Sequence, residues 1–249
     1  MSIDTAIIMA AGLGSRISAF SRNAPKGFIP IAGRPIVERS IAILADRGIR
    51  HIIIGTGYMA SEYEALSSRI SNVQIDCVTN LDYANSGSLE TFLLCTERLG
   101  CGFLSLESDL LYDAKMIDRV LECPFPNVIL ASGQTGSGDE VYIQTDDRSR
   151  LVNLSKDRHA LSRIDAELVG ICKLDQGIPA AIEAWMAREG HKRPVGFHYE
   201  EGLVGIARSL PLHVEKTELQ WTEIDTLEHL SRANAVIWPR IASASGEPA

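Results

Sequence analysis

Along the first two-fifths of the chain, apolar residues gather into short continuous runs, separated by stretches in which about one position in three or four is apolar. The runs predict strands over 6–9, 51–55, 73–79 and 102–106, and the spaced stretches predict helices over 36–47, 60–70 and 88–99. Runs such as Ile52-Ile53-Ile54 show no polar alternation. Both faces of such strands must be covered, which is the condition of a parallel sheet with helices on either side.

After Asp113 the rhythm changes. Strands over 127–131, 140–144, 151–154 and 168–172 follow one another with turn residues between them, Gly136-Ser137-Gly138 and Asp146-Asp147, and little room for helices. Helices over 179–188 and 201–209, a strand over 213–216 and a helix over 226–235 complete the pattern, and residues 242–249, rich in Ser, Ala and Gly, read as a flexible tail. The fold class is α/β: a Rossmann-like, mostly parallel mixed sheet flanked by helices, with a smaller antiparallel β extension. A single domain over 1–241 is expected, divided near residue 113.

Composition narrows the function. With 249 residues, 45% hydrophobic and 22% charged, the chain can bury one large core. A net charge of −8, with no run of five basic residues, argues against a nucleic-acid surface, so any phosphate chemistry must rely on a few cations and metal ions. The start carries neither the basic flank nor the apolar stretch of a secretory signal, and no segment reaches the roughly 18 apolar residues of a membrane span. The expected location is the cytoplasm, with small-molecule partners and neither membrane nor nucleic acid. Five cysteines without a Cys-x-x-Cys pair and six histidines without His-x-x-x-His spacing predict reduced thiols rather than a disulfide framework or a zinc site.

The first strand breaks into Ala10-Ala11-Gly12-Leu13-Gly14-Ser15-Arg16. A dinucleotide loop needs a small residue where Ile17 stands, and a P-loop needs Gly-Lys-Ser/Thr at a spacing that does not occur here. What remains is a pair of glycines that let backbone N–H groups approach an anion, followed by a hydroxyl and a forked cation. The loop reads as a triphosphate cradle; an ordinary strand-to-helix turn is the alternative.

Downstream lie Pro25-Lys26 and Gly33-Arg34-Pro35. Together with Gly12-Leu13-Gly14-Ser15-Arg16, these segments resemble the nucleotidyltransferase superfamily, which couples nucleoside triphosphates to phosphorylated small molecules. That superfamily opens on Gly-x-Gly-[Ser/Thr]-Arg, followed by Pro-Lys and then Gly-[Lys/Arg]-Pro. The segments running from Asn80 to Leu89, from Glu107 to Leu110 and from Ser137 to Tyr142 are similar to the cytidylyltransferases that activate phosphocholine or 2-aminoethylphosphonate, the last segment leaning to the latter.

The resemblance implies a site. Residues 1–113 would bind the nucleotide, CTP, and 114–241 the acceptor, an aminoalkylphosphonate or a phosphocholine-like molecule. Asp109 and Asp225 match the family's metal-binding aspartates and would hold magnesium (Mg2+). Each also suits a helix N-cap. Lys26 would neutralise the α-phosphate and Arg16 the β- and γ-phosphates, and Lys156 matches a position that contacts the acceptor phosphate. Ala10, Gly12, Gly14, Ser15, Asn80, Ala84 and Ser88 are the nucleotide-binding candidates, although Asn85 and Ser86 equally suit capping of the helix at Ser88. An acceptor ammonium calls for carboxylates, for which Asp139, Glu140, Glu107 and Glu223 are candidates, whereas trimethylammonium calls for an aromatic cage. A solvated turn is the alternative for Asp139 and Glu140. The oligomeric state is left open by the sequence, a homodimer being one arrangement compatible with it.

Overall fold

The computed structural model describes residues 3–14, 16–17, 24–192 and 194–246; Ser15, one of the loop candidates, lies outside them. The first part of the chain contains β1 (Thr5–Ala10), β2 (Pro30–Ile31), β3 (Arg34–Pro35), α1 (Ile36–Asp46), β4 (His51–Thr56), α2 (Ala60–Arg69), β5 (Gln74–Thr79), α3 (Ser88–Thr96) and β6 (Phe103–Glu107). Next come β7 (Leu110–Tyr112), α4 (Lys115–Glu122), β8 (Val128–Ser132), β9 (Tyr142–Thr145), β10 (Leu151–Ser155) and β11 (Ala166–Leu174). The remainder holds α5 (Ile178–Arg188), α6 (Tyr199–Ile206), β12 (His213–Thr217), β13 (Trp221–Glu223), α7 (Leu227–Arg232) and α8 (Trp238–Ser245).

Nine strands form one sheet in the order β10-β9-β11-β6-β1-β4-β5, with β8 also paired to β11 and β12 to β8. β1 is parallel to β4 and β6, β4 to β5, and β12 to β8. β11 runs antiparallel to β6, β8 and β9. The antiparallel extension is therefore a continuation of the main sheet, joined through the long strand β11.

The uninterrupted apolar runs bury both faces as their composition demands. Ala6, Ile8 and Ala10 pack with Ile52, Ile54, Leu104 and Leu106 beneath Ile41 of α1, Leu66 of α2 and Ile117 of α4. Ile7 faces the other way, with Ile53 and Phe103, against Phe92 of α3, Ile182 of α5 and Leu203 of α6. Each Ile, Leu and Phe among them contributes about 1.5–3 kcal/mol on burial. A third cluster joins Ile17, Ile29, Ile31 and Ile36 to Ile224, Ile237, Trp238, Ile241 and Ala242, so the last helices lie over the segment after β1.

Three features depart from the sequence pattern. Helix α4 occupies residues to which the sequence pattern gave no element, ahead of the strand expected from 127; Asp113 starts it by accepting the Lys115 N–H at 2.9 Å, and Met116, Ile117 and Val120 bury one face. The helix expected over 226–235 instead passes from α7 through a π-helical turn, Ala233–Ile237, into α8. Residues 242–245, read as a tail, belong to α8, and Ala242 is fully buried in the third cluster. Among the described residues no helix is long and apolar enough to cross a membrane.

Candidate active site

A cleft of about 380 Å³ opens beyond the carboxyl ends of β1 and β6, where open α/β sheets collect ligands. One wall is the loop after β1, from Ala11 to Gly14, with Arg16 and Lys26; the other is the start of α3 with His198, Tyr199 and Glu200. Gly14 adopts φ +59°, and a Cβ there would stand 3.4 Å from the Lys26 stem, so the glycine seats the lysine under the loop. Gly87 is needed for another reason: a Cβ would come within 1.8 Å of the Phe197 carbonyl. That closeness lets the Leu89 N–H reach Phe197 O at 3.1 Å and the Tyr199 N–H reach Ser88 Oγ at 3.0 Å, docking the start of α6 onto α3.

Asp109 and Asp225 meet because two three-residue strands pair. β7 and β13 run antiparallel with Glu223 opposite Leu110, and the Ile224 N–H continues the ladder to Asp109 O at 3.0 Å. Neither aspartate is a helix cap. Asp109 leads into β7, and Thr226 caps α7, its hydroxyl accepting the His229 N–H at 3.2 Å. The Lys26 ammonium bridges the two carboxylates. Although burial opposes it, the charges of Asp109 and Asp225 raise the lysine above its ordinary range, and it stays charged. Burial also pushes Asp225 upward, but its hydrogen bond with Glu223 and the neighbouring Lys26 and Arg16 hold it well below the usual carboxylate range.

The pair fits a divalent cation. Asp109 Oδ1 is buried without a hydrogen-bond partner, and both side chains already share one positive charge. Two carboxylates on firm strand ends are a donor set suited to magnesium, which completes its shell with phosphate oxygens and water. Glu223, Asp225 and His229 also bring ligand atoms within 4.8 Å of one another. His229, however, is otherwise engaged: its Nδ1 accepts the Asp225 N–H at 3.3 Å and its Nε2 faces Ser137 O at 3.1 Å. This buried ring ties Asp225 to the turn at 136–138.

The same turn carries Asp139 into a chain of charges. Arg16 reaches Asp139 at 2.7 Å and Asp225 at 3.1 Å, while Lys156 reaches the other Asp139 oxygen at 2.8 Å. Behind it lies a chamber of about 50 Å³ lined by Glu107, Asp139, Glu140, Lys156, Glu167, Glu200, Trp221 and Glu223, among others. It shares Glu107 and Glu200 with the larger cleft. Gly170, at φ +83° on β11, brings no side chain where a Cβ would stand 3.0 Å from the Glu107 carboxyl. Burial, then the charges of Asp109 and Glu200, push Glu107 up to about 8, although Tyr199 donates its hydroxyl to it at 2.7 Å. Burial, the hydrogen bond to Asp225 and the charge of Asp109 push Glu223 up to about 10, and burial raises Glu200 as well. Glu200 Oε2 and Glu223 Oε1 are buried without hydrogen-bond partners. Six acidic side chains and one lysine stand in the lining of this chamber.

A family profile described as the MobA-like NTP transferase domain matches residues 6–172. The chain belongs to that family. Among curated proteins, this MobA-like chain is 30% identical over 156 residues to a 2-aminoethylphosphonate cytidylyltransferase of Lancefieldella rimae, covering 61% of the chain and 60% of the relative. It is 29% identical over 128 residues to a CMP-5'-(3-aminopropyl)phosphonate synthase of Streptomyces rubellomurinus, covering 51% and 20%. It is 31% identical over 99 residues to a choline-phosphate cytidylyltransferase of Streptococcus pneumoniae, covering 40% and 42%. The matched segments thus span less than two thirds of these relatives' own length. Its fold is that of the inositol-1-phosphate CTP transferase from T. maritima, with a TM-score of 0.83 at 16% identity over 100% of this chain and 99% of the other.

In this MobA-like chain the predicted residues take different places. Ala10, Gly12, Gly14, Arg16, Lys26, Ser88, Glu107, Asp109 and Asp225 line the cleft, and Asp139, Glu140, Lys156 and Glu223 line the chamber with Glu107. Asn80 does not serve as a base reader: it is 2% exposed, and its amide donates to Ser86 at 2.8 Å and Thr91 at 3.0 Å while its oxygen accepts the Asp82 N–H at 2.9 Å. It holds the 80–88 turn that brings Ser86 and Ser88 to the cleft. Ala84 is exposed on that turn and is absent from the cleft wall. Asp139 sits between Arg16 and Lys156 rather than free for an ammonium. Sequence reasoning missed Tyr199, Glu200 and His229, which sit in no motif; an acidic residue at a helix start, as at Glu200, reads locally as dipole compensation.

Proposed function

We propose that the protein is a magnesium-dependent cytidylyltransferase that converts CTP and 2-aminoethylphosphonate into CMP-2-aminoethylphosphonate and pyrophosphate. The observation that carries this reading is the acidic chamber opening off the cleft, with Lys156 beside three largely buried carboxylates, Glu107, Glu200 and Glu223. A phosphonate dianion would meet Lys156, and its ammonium, two carbons away, would meet the carboxylates. Trp221 is the aromatic residue among the described lining of the chamber, and one ring does not make a cage for trimethylammonium. The similarity to two aminoalkylphosphonate enzymes supports the same reading.

The reaction forms one bond and breaks another: a phosphonate oxygen attacks the α-phosphorus, and the bond to the β-phosphate oxygen breaks in line, releasing pyrophosphate. Two anions must approach, so the protein's work is alignment and charge neutralisation. Backbone N–H groups at 11–14 and Arg16 would hold the β- and γ-phosphates, with Ser86 and Ser88 on the base side. Lys26 would exchange its carboxylate partners for α-phosphate oxygens, where charge grows during transfer. Asp109 and Asp225 would hold magnesium, which when bound draws negative charge from the phosphates. His229 would keep Asp225 in position.

A pyrophosphate-release panel tests the reading by crossing the four nucleoside triphosphates with 2-aminoethylphosphonate, phosphocholine and hexose 1-phosphates. CTP with 2-aminoethylphosphonate is expected to give the highest kcat/KM. Higher kcat/KM with phosphocholine or a hexose phosphate would overturn the acceptor. No turnover with any pair, despite nucleotide binding, would point to a catalytically silent nucleotide sensor.

A further inference from the structure

At the opposite end of the sheet, strand β12 begins beside the end of helix α4. β12 lies parallel to β8, with His213 opposite Val128, so His213 stands at the amino end of strands whose direction matches β1 and β6. His213 and Glu215 are two residues apart on the strand and share a face. Cys123 follows the last residue of α4 and is held there by its N–H bond to Arg119 O at 3.2 Å. The sequence contains no metal-binding spacing for these residues; the fold assembles one thiol, one imidazole and one carboxylate.

Their contacts converge on one atom. Glu215 Oε2 lies 3.3 Å from His213 Nε2 and 4.0 Å from Cys123 Sγ, and the three ligand atoms all fall within 4.8 Å of one another. A tetrahedral zinc ion sets such atoms about 3.4–3.6 Å apart, a closure of side-chain tips by at most about 1.2 Å. The surroundings resemble an outer shell that orients ligands. Arg119 holds the other Glu215 oxygen at 2.7 Å, Phe125 stacks on the His213 ring at 4.1 Å and 27°, and the Lys173 ammonium bonds the Cys123 carbonyl at 2.5 Å. Cys123, His213 and Glu215 are all only partly buried, so solvent can supply a fourth ligand.

We propose that Cys123, His213 and Glu215 form a transition-metal site of the zinc class, remote from the nucleotide cleft, that clasps the end of α4 to the outer strand β12. The mixed sulfur, nitrogen and oxygen set selects zinc or cobalt over magnesium, which avoids thiolate. Binding releases the thiol proton of Cys123 to solvent, and the thiolate sulfur, a neutral imidazole and the Glu215 carboxylate each donate an electron pair. The ion would hold together elements that the chain separates by some ninety residues, with water from the partly exposed side completing its shell.

Cobalt(II) is the probe, added to chelator-treated full-length protein. One equivalent is expected to give a thiolate-to-cobalt absorption band, which zinc then abolishes by displacement. Zinc at about a hundredfold over its Kd should raise Tm by at least about 5 °C. Cys123→Ser should remove the band and the Tm rise. His213→Gln should weaken cobalt binding by at least about tenfold, and Arg119→Ala, which touches only the carboxylate, by about tenfold. Magnesium-supported pyrophosphate release should stay within twofold in all three variants. Absence of a band in the wild type would overturn the site, as would a band that survives Cys123→Ser, because another of the five cysteines would then be the ligand. Should Cys123→Ser fail to fold, an unchanged cobalt affinity in His213→Gln would overturn it equally.

Discussion

In the cleft beside β1, each cation stands against a carboxylate: Lys26 against Asp109 and Asp225, and Arg16 against Asp225 and Asp139. A few ångströms away the balance is different. Glu107, Glu200 and Glu223 crowd a chamber whose lysine, Lys156, is already engaged by Asp139. The first region neutralises its charges by pairing, and the second by keeping protons on buried acids. Under the proposed function each arrangement would suit a different guest. A nucleotide phosphate and a metal ion would take over the contacts of the paired cations, so that region would exchange partners. A protonated acid would become an ammonium site only on losing its proton, so the second region would discriminate by charge.

The largest effect should come from breaking the paired region. Asp225→Ala, Asp109→Ala or Lys26→Ala is expected to lower kcat for pyrophosphate release by about three decades or more, the scale of losing metal or transition-state electrostatics. Near-normal turnover in any one would remove that residue from the centre.

Next in size is the separation of the two regions. Glu200→Gln and Glu223→Gln should raise KM for 2-aminoethylphosphonate by about tenfold to a hundredfold, the loss of a charge-assisted hydrogen bond, and leave KM for CTP within about twofold. Equal changes in both constants would show that the chamber belongs to the nucleotide.

A smaller effect concerns stability. The folded chain keeps on Glu107 a proton that the unfolded chain releases between the ordinary carboxyl value of 4.5 and about 8. Its contribution is whole below the lower value and is lost as pH rises through the upper one, at up to about 1.4 kcal/mol per pH unit. Urea unfolding of the ligand-free protein across that window should show the decline, and Glu107→Gln should make it shallower, the rest coming from Glu223 and Glu200. The smallest effect is expected at Glu140. Its carboxylate already accepts the Gly138 N–H at 3.1 Å, and Glu140→Gln should change acceptor KM by less than about twofold.

Much of the fold was legible because strands of continuous Ile, Leu and Val and helices of regular apolar spacing declare themselves locally. The β1 loop and Pro25-Lys26 were legible for the same reason: their chemistry is contained in a few adjacent residues. Helix α4 was not, since eight residues with apolar positions 116, 117 and 120 make too short a pattern to outweigh the surrounding strands. Asn80 was misread because a buried amide that satisfies a turn and one that reads a base look alike until its partners are known.

The sequence by itself determined the α/β alternation, the glycine loop and the identity of its cations, all of which follow from short-range sterics and hydrophobic period. Only the tertiary structure decided that Asp109 and Asp225 face one ammonium, because the pairing of β7 with β13 joins segments more than a hundred residues apart. It also decided the state of the acids. Glu107, Glu200 and Glu223 are ordinary carboxylates in the chain, and all three are pushed toward the protonated form because the packed sheet and helices remove the water that would stabilise their charge.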